Sequence, residues 1–187
     1  MKRLLDIILS LIAIVVFAIP MVIVSIAIKL NSKGPILFKQ HRIGKDGVQF
    51  EIYKFRSMYI ETPNVSTELL GDPTAYITPV GKFIRKTSLD ELPQLFNILK
   101  GDMAVVGPRP ALYNQYELIS MRDEIGVNCV RPGLTGYAQI KGRDMISDEK
   151  KVEYDKHYVD NYSIWFDMKI ILLTLLSVLK SEGVRME

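Results

Sequence analysis

Residues 7–28 form an uncharged, largely apolar run of 22 positions. That exceeds the roughly 20 residues that cross a hydrocarbon core about 30 Å thick, so the pattern predicts a segment that meets a bilayer. Ser25-Ile26-Ala27 offers small residues at cleavage-like spacing, but the run is longer than the usual, roughly 7–15-residue core of a signal peptide. Pro20 lies inside it, where its ring removes a backbone donor and crowds the carbonyl of Val16. A break there leaves arms at about 4–19 and 21–30, roughly 24 and 15 Å long. The shorter arm reaches about half-way through the bilayer, which predicts a re-entrant helical hairpin rather than a spanning helix.

Beyond Gly34-Pro35, alternation at 36–43 and 48–58 predicts two strands joined by the turn Gly44-Lys45-Asp46-Gly47, with Lys54 and Arg56 on one face of the second. A polar stretch at 61–79, with Pro63, Gly71, Pro73 and Pro79, reads as a long functional loop or lid. Helical spacing follows at 80–86, 93–100, 110–124, 147–161 and 166–180, with no internal repeat. The last of these holds an uncharged stretch, 170–179, flanked by Asp167, Lys169 and Lys180; it is too short to span and predicts a core or interfacial helix. The fold class expected is α+β and helix-rich: an amino-terminal re-entrant membrane helix with a proline break, a small β-hairpin, and interfacial amphipathic helices.

Charge sharpens the membrane reading. The 187-residue chain has a net charge of +3, yet residues 1–45 carry seven Lys or Arg against Asp6 alone. Lys2 and Arg3 precede the apolar run and Lys29, Lys33, Lys39, Arg42 and Lys45 follow it. The bias that sets orientation therefore gives no preferred inside, and both ends are expected at the cytoplasmic face. Each cation near an anionic leaflet contributes about 1 kcal/mol. With 48% hydrophobic and 24% charged residues the chain is too apolar to be disordered. Cys129 is the lone cysteine, which excludes an internal disulfide, a Cys-based zinc cluster and a redox pair.

The densest run of chemistry is residues 85–97, Arg85-Lys86-Thr87-Ser88-Leu89-Asp90-Glu91-Leu92-Pro93-Gln94-Leu95-Phe96-Asn97. Asp90 and Glu91 stand at or before a helix that Pro93 would open and Gly101 would close. Alternatively Ser88 is the N-cap and Glu91 closes a capping box. In either arrangement the helix dipole with Arg85 and Lys86 favours ionised carboxylates, and an ionised Asp can hold a divalent cation or attack phosphorus. Gly107-Pro108-Arg109-Pro110 fixes one guanidinium between two rigid residues, suited to phosphate or carbonyl recognition. Arg131-Pro132-Gly133-Leu134-Thr135-Gly136 offers an anion nest or a plain turn. Lys54, Arg56, Arg85, Arg109, Arg131 and Arg143 together could neutralise a diphosphate. His41 and His157 lack a second ligand at helical spacing and read as structural. P-loop, dinucleotide-binding and serine-hydrolase motifs are absent, and no nucleic-acid footprint is visible.

These blocks, taken in order, resemble the monotopic phosphoglycosyl transferases, the bacterial sugar transferase family that starts glycan assembly on a polyprenyl carrier. The matching stretches are Lys2-Arg3-Leu4-Leu5-Asp6, Gly34-Pro35-Ile36-Leu37-Phe38, Tyr53-Lys54-Phe55-Arg56-Ser57-Met58, Ser88-Leu89-Asp90-Glu91-Leu92-Pro93-Gln94-Leu95, Lys100-Gly101-Asp102-Met103, Val106-Gly107-Pro108-Arg109-Pro110, and the segment from Arg131 to Gln139. They cover nearly the whole chain, which looks like the small, minimal form of the family. One departure is Ile19 before Pro20, where the family commonly has Ser; Ser25 or a neighbour is then left to hold the freed carbonyl.

The resemblance implies transfer of a sugar-1-phosphate from a UDP-sugar to polyprenyl (undecaprenyl) phosphate, with release of UMP and initiation of glycoconjugate synthesis. It implies Asp90 as the nucleophile of a covalent phosphosugar intermediate and as a ligand of Mg²⁺, and Glu91 as its partner, taking a proton or positioning groups. Lys54, Arg56, Arg85 and Arg131 would bind substrate, Pro108, Arg109 and Pro110 would contact the nucleotide, and Asp155 matches another polar position of the site. Residues 1–33 would be the membrane hairpin and 34–187 a catalytic domain on the cytoplasmic face of the bacterial inner membrane, touching its lipid; a homodimer is left open. Two other classes compete: a phosphohydrolase acting on nucleoside-diphosphate sugars with water as acceptor, and a non-catalytic scaffold for glycan assembly.

Overall fold

The computed structural model of the chain describes residues 1–63, 73–142 and 146–180, the side chains of 179 and 180 excepted. Much of the expected lid at 61–79, and Arg143, lie outside the described residues. In chain order the elements are α1 (Lys2–Asn31), β1 (Leu37–Ile43), β2 (Gln49–Phe55), α2 (Pro79–Lys86), α3 (Gln94–Lys100), β3 (Ala104–Val106), α4 (Tyr116–Glu124), β4 (Gly133–Thr135), α5 (Tyr137–Lys141), α6 (Asp148–Asn161) and α7 (Ile164–Lys180). The class is α+β with helix predominant. β1 and β2 pair antiparallel and β3 and β4 pair parallel, as two separate two-stranded sheets.

α1 corrects the expectation of two arms. Its helix runs unbroken through Pro20 for 30 residues, about 45 Å at roughly 1.5 Å per residue. One missing backbone donor is tolerated because the turns on both sides remain bonded and both halves are packed on other elements. Ser25 does not compensate at Val16: its hydroxyl donates to the Met21 carbonyl at 2.7 Å. At the amino end Arg3 donates to the carbonyls of Ile98 and Leu99 at 2.6 and 3.0 Å, and the Asp6 carboxylate accepts the amide of Val105 at 3.0 Å. Ala13 and Ile14 pack on the cluster of Ile52, Leu95, Ile98 and Met103, and Met21, Val24 and Ile28 on that of Phe55 and Ile84. The opposite side, with Val15, Ile19 and Ile23, is exposed and apolar.

α1 is the one helix among the described residues long and apolar enough to cross a membrane. α7 adds a second apolar surface: Ile170 is buried while Trp165, Leu172 and Leu175 are exposed. The first and last helices meet where Lys2 pairs with Asp167 and donates to the Tyr158 hydroxyl, itself 2.7 Å from Asp167. Burial first, and the bond to Asp167 second, push that phenol far above its ordinary range.

Two other departures follow from packing. The pattern at 110–124 predicts one helix, but α4 begins only at Tyr116, because residues 110–112 are held against β1. Arg42 bridges Leu112, and the Ile43 amide donates to the Ala111 carbonyl at 3.0 Å. The stretch at 131–136, read as an anion nest or a plain turn, instead holds strand β4 at Gly133–Thr135. Its neighbourhood uses its amides internally, Gly133 donating to the Pro108 carbonyl and Gly107 to that of Thr135, both at 2.9 Å. A Cβ on Gly133 would lie 2.1 Å from the Gly107 nitrogen, so this approach requires glycine.

Asn97 joins the hairpin to α3. It is fully buried; its Oδ1 accepts the Tyr53 amide at 2.9 Å and its Nδ2 donates to the Glu51 carbonyl at 2.7 Å and to Asp102 at 3.1 Å. Loss of one partner strands buried polar groups at about 1–3 kcal/mol each. Asn97→Ala is therefore expected to lower unfolding stability by about 2–4 kcal/mol, measured by denaturant titration of the detergent-solubilised protein; a change within the error of the method would remove this residue from the fold's main supports.

Candidate active site

Asp90 and Glu91 sit in a short 3₁₀ turn, Leu89–Glu91, between α2 and α3. Leu89 and Leu92 pack into the core against α1 and Phe55, which leaves the two acids between them on the other side. Ser88 precedes the turn with φ +56°, a left-handed conformation costing an L-residue about 1–2 kcal/mol. It makes no side-chain cap, and Glu91 bonds elsewhere, so the capping box is not formed. Pro93 lies just ahead of α3 as its N-cap, and Gly101 closes the helix with φ +102°.

The Glu91 carboxylate is the hub. Its Oε1 accepts from Lys54 Nζ at 2.8 Å and from an Arg109 guanidinium nitrogen at 3.1 Å. Burial alone would raise its pKa, but these two cations outweigh burial and hold it well below the ordinary carboxylate range. Asp90 goes the other way. Burial is the largest influence and pushes it up to about 6; Lys54, Arg85 and Arg109 pull it down and the Glu91 charge raises it. Among the described residues the Asp90 carboxylate accepts no hydrogen bond, so its oxygens are available to a ligand.

Each cation is aimed by a different element. Lys54 is on β2, whose backbone Asn97 grips on either side of Ile52. Arg85 lies in the last turn of α2, which starts with the Thr78 side chain accepting the Gly81 amide at 2.9 Å. A Cβ on Gly81 would stand 1.8 Å from the Ser57 carbonyl, so only glycine lets α2 lie this close to the chain after β2. Arg109 projects from a turn whose two prolines are buried and whose three carbonyls are all engaged: Pro108 by the Gly133 amide at 2.9 Å, Arg109 by Arg122 at 2.9 Å and Pro110 by Arg42 at 3.0 Å.

The structure thus gathers Asp90, Glu91, Lys54, Arg85 and Arg109. Three expected residues lie elsewhere. Arg56, expected at the substrate, is buried and donates to the Ser32 carbonyl and hydroxyl at 2.8 and 2.7 Å. It holds the carboxyl end of α1, where a cation also complements the helix dipole. Strand alternation put it beside Lys54, but β2 ends at Phe55. Arg131 donates to the Gly101 carbonyl at 2.8 Å, at the far end of α3. Asp155 is buried in an ion pair with Arg122. Arg122 and Arg42 carry no sequence signal: each reads as an ordinary solvated charge until the fold brings a carbonyl to it.

A divalent cation would find few protein ligands, since no cluster of three His, Cys, Asp or Glu occurs among the described residues. One or two carboxylates completed by substrate phosphates is nevertheless the donor set that suits Mg²⁺. Asp90 fits that role, while one Glu91 oxygen already serves two cations.

An acidic pair ringed by cations on an α+β domain with a long, exposed apolar helix suits a transferase of phosphorylated groups. The chain belongs to the bacterial sugar transferase family, whose pattern matches residues 1–181. It is 42% identical over 185 residues to a Bacillus subtilis (strain 168) protein named uncharacterized sugar transferase EpsL, covering 99% of this chain and 90% of that one. It is 40% identical over 198 residues to the galactosyl transferase CpsE of Streptococcus agalactiae serotype III (strain NEM316), covering 98% of this chain and 43% of that protein. The UDP-glucose:undecaprenyl-phosphate glucose-1-phosphate transferase of Escherichia coli (strain K12) is 40% identical over 184 residues, covering 94% of this chain and 39% of that protein. The chain therefore spans most of the first relative and about two-fifths of the other two.

The contrast between the two acids is measurable. In carboxyl-carbon NMR of metal-free protein, Asp90 should titrate near pH 6, above an ordinary aspartate. Glu91→Gln removes a neighbouring negative charge and releases Lys54 and Arg109 from it, so the Asp90 midpoint should move down. An upward or absent shift would contradict the electrostatic account.

Proposed function

We propose that this chain transfers a sugar-1-phosphate from a UDP-sugar to polyprenyl phosphate, releasing UMP through a covalent aspartyl-phosphosugar intermediate, and so initiates a glycoconjugate. The single observation that carries this is the division of labour in the acidic pair: Glu91 is tied to Lys54 and Arg109, while the adjacent Asp90 has no hydrogen-bond partner among the described residues. A free carboxylate amid cations is what attack on a diphosphate needs.

In this reading an Asp90 oxygen attacks the β-phosphorus. The bond from that phosphorus to the bridging oxygen breaks, and the electron pair leaves with UMP. The carrier phosphate then attacks the aspartyl phosphodiester, restoring the Asp90 carboxylate and leaving the sugar on a lipid diphosphate. Lys54, Arg85 and Arg109 neutralise the phosphate oxygens, since phosphoryl transfer depends mainly on positioning and charge stabilisation. Glu91, kept ionised by its two cations, is better suited to aiming them than to moving a proton. Asp90 would hold Mg²⁺ together with the donor diphosphate, and the bound ion supplies further charge neutralisation.

The membrane arrangement proposed is monotopic. Contacts of α1 at its amino end, middle and carboxyl end all fall on the rest of the chain, which favours both ends of the helix on one face of the membrane, the cytoplasmic one, with the exposed apolar side in lipid. The exposed side of α7 would lie in the same interface. Both substrates would then meet Asp90 at the membrane surface, where the carrier phosphate is confined.

Purified protein given a UDP-sugar, Mg²⁺ and polyprenyl phosphate should turn over to release many equivalents of UMP only when lipid is present, donor alone giving at most one equivalent per enzyme; sustained release without lipid would instead mean a phosphohydrolase, and none a scaffold. Asp90→Asn should lower turnover by about 10³-fold or more and abolish a phosphosugar adduct on the peptide holding Asp90, with membrane binding unchanged. In a Cys129→Ser background, a cysteine tag ahead of Met1 and a cysteine at Lys33 should both resist an impermeant thiol reagent in intact cells. Labelling of the first alone would mean that α1 spans.

A further inference from the structure

The residue that aims Arg109 is itself held by a group far away in sequence. Arg122 on α4 is 3% exposed, and Asp155 on α6 is 1% exposed. Their side chains pair at 2.5 Å, and the second terminal nitrogen of Arg122 donates to the Arg109 carbonyl at 2.9 Å. From that peptide the Arg109 guanidinium reaches Glu91 at 3.1 Å. A chain of contacts therefore runs from α6 through α4 and the proline turn to the acidic pair.

Stability alone is a poor reason for this pair. Burying two ions costs several kcal/mol per ion before their attraction is counted, and an apolar pair of similar volume is often as stable or more so. The cost is not fully recovered here: among the described residues, Arg122 Nε and Asp155 Oδ1 are buried without a hydrogen-bond partner. What the pair does secure is the orientation of one peptide group. Pro108 and Pro110 supply no backbone donors, so this turn is fixed largely through its carbonyls. Gly133 and Arg42 hold the two outer ones. The middle carbonyl belongs to the one residue of the three that faces the site, and Arg122 holds it.

We propose that Arg122 and Asp155 are positioning residues for Arg109: the buried pair fixes the Arg109 peptide and so directs its guanidinium onto Glu91. Asp155 then acts at two removes instead of touching substrate. The geometric claim stands by itself, whereas the kinetic arm of its test rests on the proposed transfer reaction.

The geometric test uses the full chain in detergent and phenylglyoxal, with arginine modification followed by mass spectrometry. Arg109 should react several-fold faster in Arg122→Gln and Asp155→Asn than in the wild type. Arg131, at the far end of α3, should keep its wild-type rate. Unchanged Arg109 reactivity in both variants, or a parallel rise at Arg109 and Arg131, would overturn the proposal. Should Arg122→Gln not fold, Arg122→Lys and Asp155→Asn decide the question in the same way. In the transfer assay, Arg122→Gln should reduce turnover in the wild-type background and add no further loss to Arg109→Lys. Multiplying losses would mean that Arg122 acts independently of Arg109 and would overturn the proposal. A wild-type chain inactive with every UDP-sugar would defeat the proposed function, leaving the modification rates to decide this inference.

Discussion

The site depends on the sharing of one Glu91 oxygen between Lys54 and Arg109. Two adjacent carboxylates at a half-buried turn repel each other, and burial penalises both charges. Assigning the cations to Glu91 resolves the conflict unequally: Glu91 is held ionised, while Asp90 rises to about 6 and keeps its oxygens open. The same bonds tie three elements together, since Lys54 comes from β2, Arg109 from the turn after β3, and Glu91 from the turn before α3. Displacing any one element would alter the charge balance at Asp90, so packing and reactivity are coupled here.

The supports behind those three residues are mostly backbone groups gripped by buried side chains. Asn97 fixes β2 through an amide and a carbonyl. Arg42 and Arg122 fix the proline turn through carbonyls. Arg56 fixes the end of α1 through Ser32. Long polar side chains thus do work that a wider sheet would do through its ladder, because among the described residues each sheet has two strands. This explains why Arg56, expected to face substrate, is found pinned inside the protein.

Elements governed by local rules were legible in the sequence. The β-hairpin, the Pro93 start and Gly101 stop of α3, and the helices at α2, α6 and α7 fall within a few residues of the pattern. The acidic pair was legible because two carboxylates beside a helix start with flanking cations is a local feature. What was not legible was non-local. β3 and β4 are three residues each and pair across 26 intervening positions, too short for periodicity to register. Arg56 and Arg131 looked like Lys54 in sequence, and only tertiary packing sends them to Ser32 and Gly101. Pro20 was read by its local effect, but contacts on both sides keep α1 one helix.

The meeting of Lys2 with Asp167 and Tyr158 joins residues 165 and 156 positions apart. During synthesis the apolar first helix leaves the ribosome long before its partner on α7 exists. Its amino end must wait for that partner until α6 and α7 have been made. Domains form progressively as a chain is made, so the docking of this end of α1 follows the folding of the elements made between the two partners.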